Sequence, residues 1–123
     1  MKIYTAFFDA LDNLPESIVS VSISLKPPAD WNGFQLKELA PKEDFFYLWR
    51  KNRDNEYYVS HYNREVLDVL SADDIVKRLN AFANGAEGVA LVCYEPPNEF
   101  CHRHLVASWL KQHGYSVEEF DFS

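Results

Sequence analysis

Residues 88–94 of this 123-residue chain read Gly-Val-Ala-Leu-Val-Cys-Tyr, an apolar run in which polar residues do not alternate with apolar ones. A strand with one face in water shows that alternation, whereas a strand covered on both faces does not need it. The run therefore predicts the central strand of a sheet. A helical pattern at residues 100–113 ends before Gly114, and residues 115–120 resemble a strand, which together predict a β-α-β unit with parallel strands.

The upstream part of the chain predicts the rest of the sheet. β-branched and aromatic residues at 3–8 and 17–24 indicate two further strands, and prolines at 26–41 indicate a long loop. Apolar residues at helical spacing predict three helices between residues 45 and 84. We predict one α/β domain over residues 1–123, a small three-layer Rossmann-like domain with a mostly parallel central sheet and helices on both faces.

The third of these helices has the clearest boundaries. Ser71 and Asp74 have the spacing of a capping box, which predicts the start of the helix. Asn84 and Gly85 tolerate the left-handed conformation in which helices commonly end.

The composition excludes several classes of protein. Hydrophobic residues make up 47% of the chain, too many for a disordered protein, and the net charge of −7 opposes broad, nonspecific nucleic-acid binding. No apolar run approaches the roughly 20 residues of a membrane span, and no leader pattern is present, so we expect a cytoplasmic protein. Its cysteines, Cys93 and Cys101, are then expected to be thiols. The one small basic cluster is interpreted as a solvated helix end formed by Arg50, Lys51 and Arg53.

A candidate site follows from the predicted topology. Ligands of open α/β sheets bind beyond the carboxyl ends of the strands, and residues 93–103 occupy that place. If the strand at 17–24 is parallel to the central strand, its following residues emerge at the same edge. We predict a pocket for an anionic small molecule or nucleotide, with ligand-binding residues Arg103, Cys93, Ser24 and Lys26.

The same segment contains candidate catalytic residues. Cys101 lies in the first turn of a helix, where the helix dipole and a neighbouring arginine favour a thiolate. His102 or Glu95 is the candidate base. Helical spacing points Cys101 and His102 toward the protein interior. The structural alternatives are a cysteine that packs as a small apolar residue and a histidine whose hydrogen bonds are satisfied.

Arg103 and His104 lie off the apolar stripe of that helix, and His104 is expected to face solvent. Arg103 follows Glu99 by four residues, so an ordinary helical ion pair is the alternative to a ligand clamp. If Arg103 is a clamp, Arg103→Ala should change the free energy of unfolding by no more than about 1 kcal/mol.

No metal or cofactor is predicted. A zinc site would require Cys93, Cys101 and either His102 or His104, but their spacing matches no common zinc finger or ribbon. The glycine-rich loops that hold nucleotide cofactors are also absent from the sequence. Metal-dependent folding is a third possibility, which metal stoichiometry and collapse with a chelator would reveal.

The motif Cys93-Tyr94-Glu95 followed by Cys101-His102-Arg103 resembles the C-Y-E … C-H-R signature of the domain-of-unknown-function family numbered 488. Further similarity at residues 3–5, 22–24, 27–28 and 39–41 extends the resemblance over nearly the whole chain. Members of that family have no established activity. The resemblance implies a compact bacterial or phage-type α/β protein and places its site at Cys93, Glu95, Cys101, His102 and Arg103.

Two functions are consistent with these residues. The first is a small thiolate-based enzyme or nucleotide-processing domain in which Cys101 attacks, His102 or Glu95 accepts a proton and Arg103 clamps an anionic group. The second is a non-catalytic module that binds a ligand or partner, in a setting such as nucleic-acid maintenance. A reactive Cys101 would favour the enzyme, and an inert, buried thiol would favour the module. The sequence does not decide the oligomeric state.

Overall fold

The computed structural model of the chain describes residues 1–122, which contain one five-stranded sheet and its covering helices. The strands are β1 (Lys2–Phe7), β2 (Ile18–Ser22), β3 (Phe34–Gln35), β4 (Gly88–Cys93) and β5 (Val117–Glu119). The α-helices are α1 (Glu43–Asn52), α2 (Asn55–Tyr62), α3 (Ala72–Ala83) and α4 (His102–Gln112). Short 3-10 helices lie at Phe8–Asn13 and Lys37–Leu39, and a π-helical turn lies at Asn63–Leu67.

The strands follow the order β3-β2-β4-β1-β5, and every pair is parallel. The predicted fold class, a small Rossmann-like α/β domain, is confirmed. Strand β4 lies at the centre, with Gly88 opposite both Lys2 of β1 and Ile18 of β2. A Cβ atom on Gly88 would lie 2.6 Å from the Lys2 carbonyl oxygen. Glycine is therefore required where β4 enters between its neighbours.

Strand β4 is completely buried, as its uninterrupted apolar run predicts. The side chains from Val89 to Val92 have no exposed surface, and Cys93 at the end of the strand is buried as well. Burial on both faces explains why this strand lacks the alternation of a half-exposed strand.

The two faces of the sheet are covered unequally. One face, which includes Val89 and Leu91, packs against buried side chains of all four α-helices. The opposite face, which includes Ala90 and Val92, is covered by the 3-10 helix Phe8–Asn13 and by aromatic side chains near the C-terminus. Both faces are thus shielded from water, although one cover is much thinner than the other.

Helix α3 begins and ends where the sequence predicts. The Ser71 hydroxyl accepts a hydrogen bond from the Asp74 backbone N–H at 3.3 Å, and Asn84 ends the helix with φ 48°. Helix α1 ends at Asn52, and the next residue, Arg53, caps it with φ 55°, a conformation that is usually adopted by glycine at helix ends. The predicted loop at 26–41 also contains the two-residue strand β3. Among residues 1–122, no helix has the length and apolar character to cross a membrane.

Candidate functional site

A cleft of about 420 Å³ opens at the carboxyl edge of the sheet, where β2 and β4 end and α4 begins. Because β2 and β4 are parallel, the residues that follow them emerge at the same edge. The cleft brings together five of the predicted site residues: Ser24, Lys26, Cys93, Glu95 and His102. The other two do not line it, since Cys101 borders a much smaller adjoining cavity and Arg103 is fully buried.

A larger cavity, of about 650 Å³, lies at the opposite edge of the sheet and is lined by the start of β1 and by residues 114–118. Its lining contains no cysteine or histidine. Of these two, the smaller cleft is the better candidate site because it combines the carboxyl ends of central strands with reactive side chains.

Cys93 and Cys101 are joined by a disulfide. The expectation of two free thiols is therefore wrong for this structure. Cys93 ends β4 and Cys101 is the N-cap residue of α4, so the loop between them returns to the strand end from which it left. The sequence separation of the two cysteines does not predict that this loop comes back to the end of β4. Both cysteines are buried, and the predicted inward direction of Cys101 is met.

The guanidinium group of Arg103 donates hydrogen bonds to protein partners through four of its five N–H groups. Its Nε and Nη2 atoms donate to the two carboxylate oxygens of Glu119 at 3.0 and 2.9 Å. Its Nη1 atom donates to the Glu95 carbonyl oxygen at 2.6 Å and to Sγ of Cys93 at 3.3 Å. Thr5 of β1 donates a further hydrogen bond to Glu119, at 2.6 Å. Arg103 thus ties α4 to β4 and β5 beneath the cleft.

These contacts differ from one alternative and one expectation for the first turn of α4, the helical pair of Arg103 with Glu99 and a solvated His104. Arg103 pairs with Glu119 and not with Glu99, because its side chain passes into the protein instead of lying along the helix surface. His104 is half-buried and not solvated, and burial lowers its pKa. The His104 Nε2 atom is shielded from solvent and has no hydrogen-bond partner within residues 1–122. Both differences come from the packing of α4 against β5, which helical spacing does not reveal.

The charge of Glu119 balances that of Arg103. Burial alone would raise the pKa of Glu119, but hydrogen bonds from Arg103 and Thr5 outweigh burial and lower it below its usual value. The carboxylate lies on the Nε and Nη2 side of the guanidinium, whereas the sulfur of Cys93 lies at Nη1. Because Coulomb energy falls with distance, Cys93 feels the nearer positive charge more strongly than the farther negative one.

His102 is a neutral imidazole oriented by the backbone. Its Nε2 atom lies 2.7 Å from the Ile23 carbonyl oxygen, which can only accept a hydrogen bond, so Nε2 carries the hydrogen. Burial lowers the pKa of His102 to about 4. The unprotonated Nδ1 atom faces Sγ of Cys101 at 4.0 Å. The side of the His102 ring that faces Cys101 is therefore a proton acceptor.

The cleft also carries three cations that are not committed to ion pairs. Its lining includes Lys26, Arg50 and Arg53, and none of these three forms an ion pair within the described part of the chain. Arg53 lies over the ring of Trp49 at 4.3 Å, and Lys26 lies 5.9 Å from the ring of Tyr47. Arg50 and Arg53 are exposed at the end of α1, as the interpretation of a solvated helix end predicts. Their position at the cleft was not predicted, because it depends on where α1 packs.

The reactive side chains also form a possible metal-binding group. Ligand atoms of Cys93, Cys101 and His102 lie within 4.8 Å of one another, a donor set that suits zinc. Two features oppose a metal ion here: the sulfurs are bonded to each other, and a second cation beside Cys93 would be repelled by Arg103. We therefore still predict that the protein binds no metal ion.

Residues 14–114 match the family model DUF488-N3a, described as the active DUF488-N3 subclade. The match spans well over half of the chain. The chain belongs to the DUF488-N3a family. This membership confirms the resemblance read from the C-Y-E and C-H-R motifs, and the matched residues include Cys93, Cys101 and Arg103. No curated protein and no solved structure matches the chain.

Proposed function

We propose that this DUF488-N3a member is a thiol–disulfide oxidoreductase in which Cys93 attacks the substrate and Cys101 resolves the intermediate. The observation that carries the proposal is the contact between Arg103 Nη1 and Cys93 Sγ, with Cys101 within bonding reach of the same sulfur. A neighbouring guanidinium favours the thiolate over the thiol, and the thiolate is the nucleophile. The attacking residue is therefore Cys93, which lines the cleft, rather than Cys101, which the sequence favours.

The reaction begins with both cysteines reduced. The Cys93 thiolate attacks one sulfur of a substrate disulfide, the substrate S–S bond breaks, and the leaving thiolate takes a proton from solvent. The other half of the substrate is then held on Cys93 as a mixed disulfide. Cys101 attacks Sγ of Cys93 and expels this second half as a thiol. The substrate gains two electrons and two protons, and the protein is left with its Cys93–Cys101 disulfide.

His102 serves the second step. Its neutral Nδ1 atom takes the proton of the Cys101 thiol as Cys101 attacks, and delivers that proton to the departing thiolate. Glu95 lines the same cleft and stays a candidate for proton exchange with the first leaving group. Ser24 lines the cleft beside these groups and is bonded to Ser22 through its hydroxyl at 3.0 Å, so it offers a fixed polar contact to a substrate.

The cellular setting we propose is the cytoplasm. A disulfide that forms in a reducing compartment is usually transient and takes part in catalysis or redox sensing. A dithiol reductant of the thioredoxin type would return the Cys93–Cys101 pair to its reduced state and complete the cycle. We further propose that residues 1–123 act as a single domain on a small anionic molecule, without membrane attachment or broad nucleic-acid binding.

Trapping of the mixed disulfide tests this proposal. In Cys101→Ser, reaction with the neutral probe hydroxyethyl disulfide should stop at the mixed disulfide, and peptide mass spectrometry should place the adduct on Cys93. The matched control, Cys93→Ser, should form no adduct at a comparable rate, because Cys101 lacks the arginine contact. If Cys101 carries the adduct, or if both thiols are inert, the assignment fails. Two inert thiols would favour a non-catalytic binding module.

A further inference from the structure

We infer that the cleft selects disulfides that carry negative charge close to the sulfurs, and that Lys26, Arg50 and Arg53 provide the selection. This inference rests on the proposed function, since it names the substrate class for the same site. The three cations line the cleft together with Cys93, and Glu95 supplies the one carboxylate among the lining residues of the described chain. A disulfide that reaches Cys93 must therefore pass through a region of net positive charge.

This site differs from the Arg103 clamp expected from the sequence, because the arginines that are available to a ligand are the exposed ones and not Arg103. Four of the five N–H groups of Arg103 donate to Glu119, Glu95 and Cys93, and the side chain has no exposed surface, so it is not accessible to a ligand in the cleft. Arg50 and Arg53 form no ion pair within residues 1–122 and are exposed at the cleft. Buried Arg103 therefore favours the thiolate of Cys93, whereas the exposed cations attract the negative charge of the substrate.

The aromatic walls hold two of these cations in place. Arg53 lies against Trp49, and Lys26 lies near Tyr47, both within the range of cation–π attraction. Trp49 is itself fixed by a hydrogen bond from its Nε1 atom to Asn55 at 2.7 Å. A cation that rests on a fixed ring loses less side-chain freedom when an anion binds than one that moves freely in solvent.

The backbone conformation of Arg53 is a second observation that supports a binding role for its side chain. Its backbone is left-handed, with φ 55° and ψ 31°, at a helix end where glycine is the usual residue. A long cationic residue at this position adopts a backbone conformation that is less favourable for it than for glycine. The Arg53 side chain lines the cleft that contains Cys93, which indicates a role beyond capping the helix.

The net charge of the whole chain opposes the approach of anions, so selection for anions depends on a local cluster of cations. With a formal net charge of −7, the protein repels anions at long range. Screening limits this repulsion to about 8 Å at physiological ionic strength, so cations inside the cleft dominate once a substrate has arrived.

Three disulfides of nearly equal length test the inference: dithiodipropionate, a dianion; hydroxyethyl disulfide, which is neutral; and cystamine, a dication. Each is mixed with the reduced protein, samples are quenched with an alkylating agent, and formation of the internal disulfide is followed by mass spectrometry as loss of the doubly alkylated protein, since the total number of thiols in the mixture does not change. Each rate is divided by the rate at which mercaptoethanol reduces the same compound, which removes differences in intrinsic reactivity. The dianion should exceed the dication by about tenfold or more, since each cation at 4 Å in water contributes about fivefold.

Single substitutions locate the selection. Lys26→Gln, Arg50→Gln and Arg53→Gln should each slow the dianion by about fivefold and leave the neutral compound unchanged within about twofold. Lys51→Gln is the matched control, because Lys51 is exposed on the same helix but does not line the cleft. It should leave all three normalised rates unchanged.

The outcomes separate this inference from the proposed function. Equal normalised rates for the three compounds would overturn the charge selection and leave the oxidoreductase assignment intact. An effect of Lys51→Gln as large as that of Arg50→Gln would overturn the assignment of selection to the cleft. If none of the three compounds oxidises the protein, the proposed function fails, and the inference fails with it.

Discussion

The Nη1 atom of Arg103 lies 3.3 Å from Sγ of Cys93, so a fully buried guanidinium contacts the sulfur at the end of the central strand. Glu119 holds the opposite side of that guanidinium through two hydrogen bonds and thereby fixes its orientation. This arrangement gives Arg103 two linked effects, one on folding stability and one on the chemistry of Cys93.

Arg103→Ala should lower the free energy of unfolding by about 3 kcal/mol, because removal of one member of a buried ion pair leaves the other uncompensated. This replaces the small change expected for a surface clamp, since Arg103 has no exposed surface and the Glu119 side chain is 24% exposed. Urea denaturation provides the measurement. The control is Arg78→Ala, which breaks the exposed Arg78–Glu38 pair and should cost less than about 1 kcal/mol. Equal costs for the two variants would contradict the structural role of Arg103.

The stability of the protein should fall between pH 7 and pH 4.5, in part through His102. The pKa of about 4 in the folded protein lies below the ordinary value of 6.5, so in this range the unfolded chain binds a proton that the folded protein does not. The contribution of His102 is complete above pH 6.5 and is lost as the pH falls toward 4, which amounts to about 2 kcal/mol at pH 4.5.

His102→Gln isolates this contribution. The variant removes the titrating imidazole while retaining a side-chain N–H for the Ile23 carbonyl. Its loss of stability between pH 7 and pH 4.5 should be about 2 kcal/mol smaller than that of the wild type. The lowered pKa values of His104 and Glu119 act in the same direction in both proteins and cancel in the comparison. Identical pH dependence in the two proteins would show that His102 is not held neutral by burial.

Arg53→Gly should leave stability within about 0.5 kcal/mol of the wild type, because relief of the left-handed backbone offsets the lost contact with Trp49. The same variant should slow reaction with dithiodipropionate by about fivefold. Asn84→Gly is the matched control, since Asn84 has a similar conformation, with φ 48°, and does not line the cleft. The control should change neither the stability, by more than about 0.5 kcal/mol, nor the reaction rate, because glycine and asparagine both tolerate this conformation. A large loss of stability in Arg53→Gly would mean that Arg53 is retained for the fold.

Purified protein should contain less than stoichiometric zinc or iron, because the Arg103 guanidinium occupies one side of Cys93. Elemental analysis of reduced protein prepared without chelator measures the content directly, and the thermal unfolding midpoint should not change on addition of EDTA. One tightly held metal ion per chain, together with a lower unfolding midpoint after chelation, would contradict this prediction. It would mean that Cys93, Cys101 and His102 form a metal centre and not a redox-active dithiol.

The elements that local rules determine were predictable from the sequence. The burial of Val89–Val92 follows from an apolar run, and the ends of α3 follow from the capping residue Ser71 and the left-handed Asn84. The convergence of Ser24, Lys26 and Cys93 at one edge follows from the parallel topology alone.

The parts of the site that depend on tertiary packing were not predictable in the same way. The partner of Arg103 is Glu119, on a strand that no local pattern pairs with the first turn of α4. The cations Arg50 and Arg53 join the cleft only because α1 packs with its end toward the residues that follow β2 and β4. The disulfide forms because the loop between Cys93 and Cys101 returns to the end of β4. The length of this loop is visible in the sequence, but its path is not.

The pH dependence of Cys93 alkylation in Cys101→Ser tests the central claim most directly, because this variant presents Cys93 as the one remaining thiol. The rate of reaction with iodoacetamide follows the thiolate fraction, so its midpoint gives the pKa of Cys93. The account predicts a midpoint clearly lower than the ordinary value of about 8.5 for a cysteine, because the Arg103 guanidinium outweighs burial. A midpoint at or above about 8.5 would show that burial prevails and that Cys93 is not the attacking thiolate.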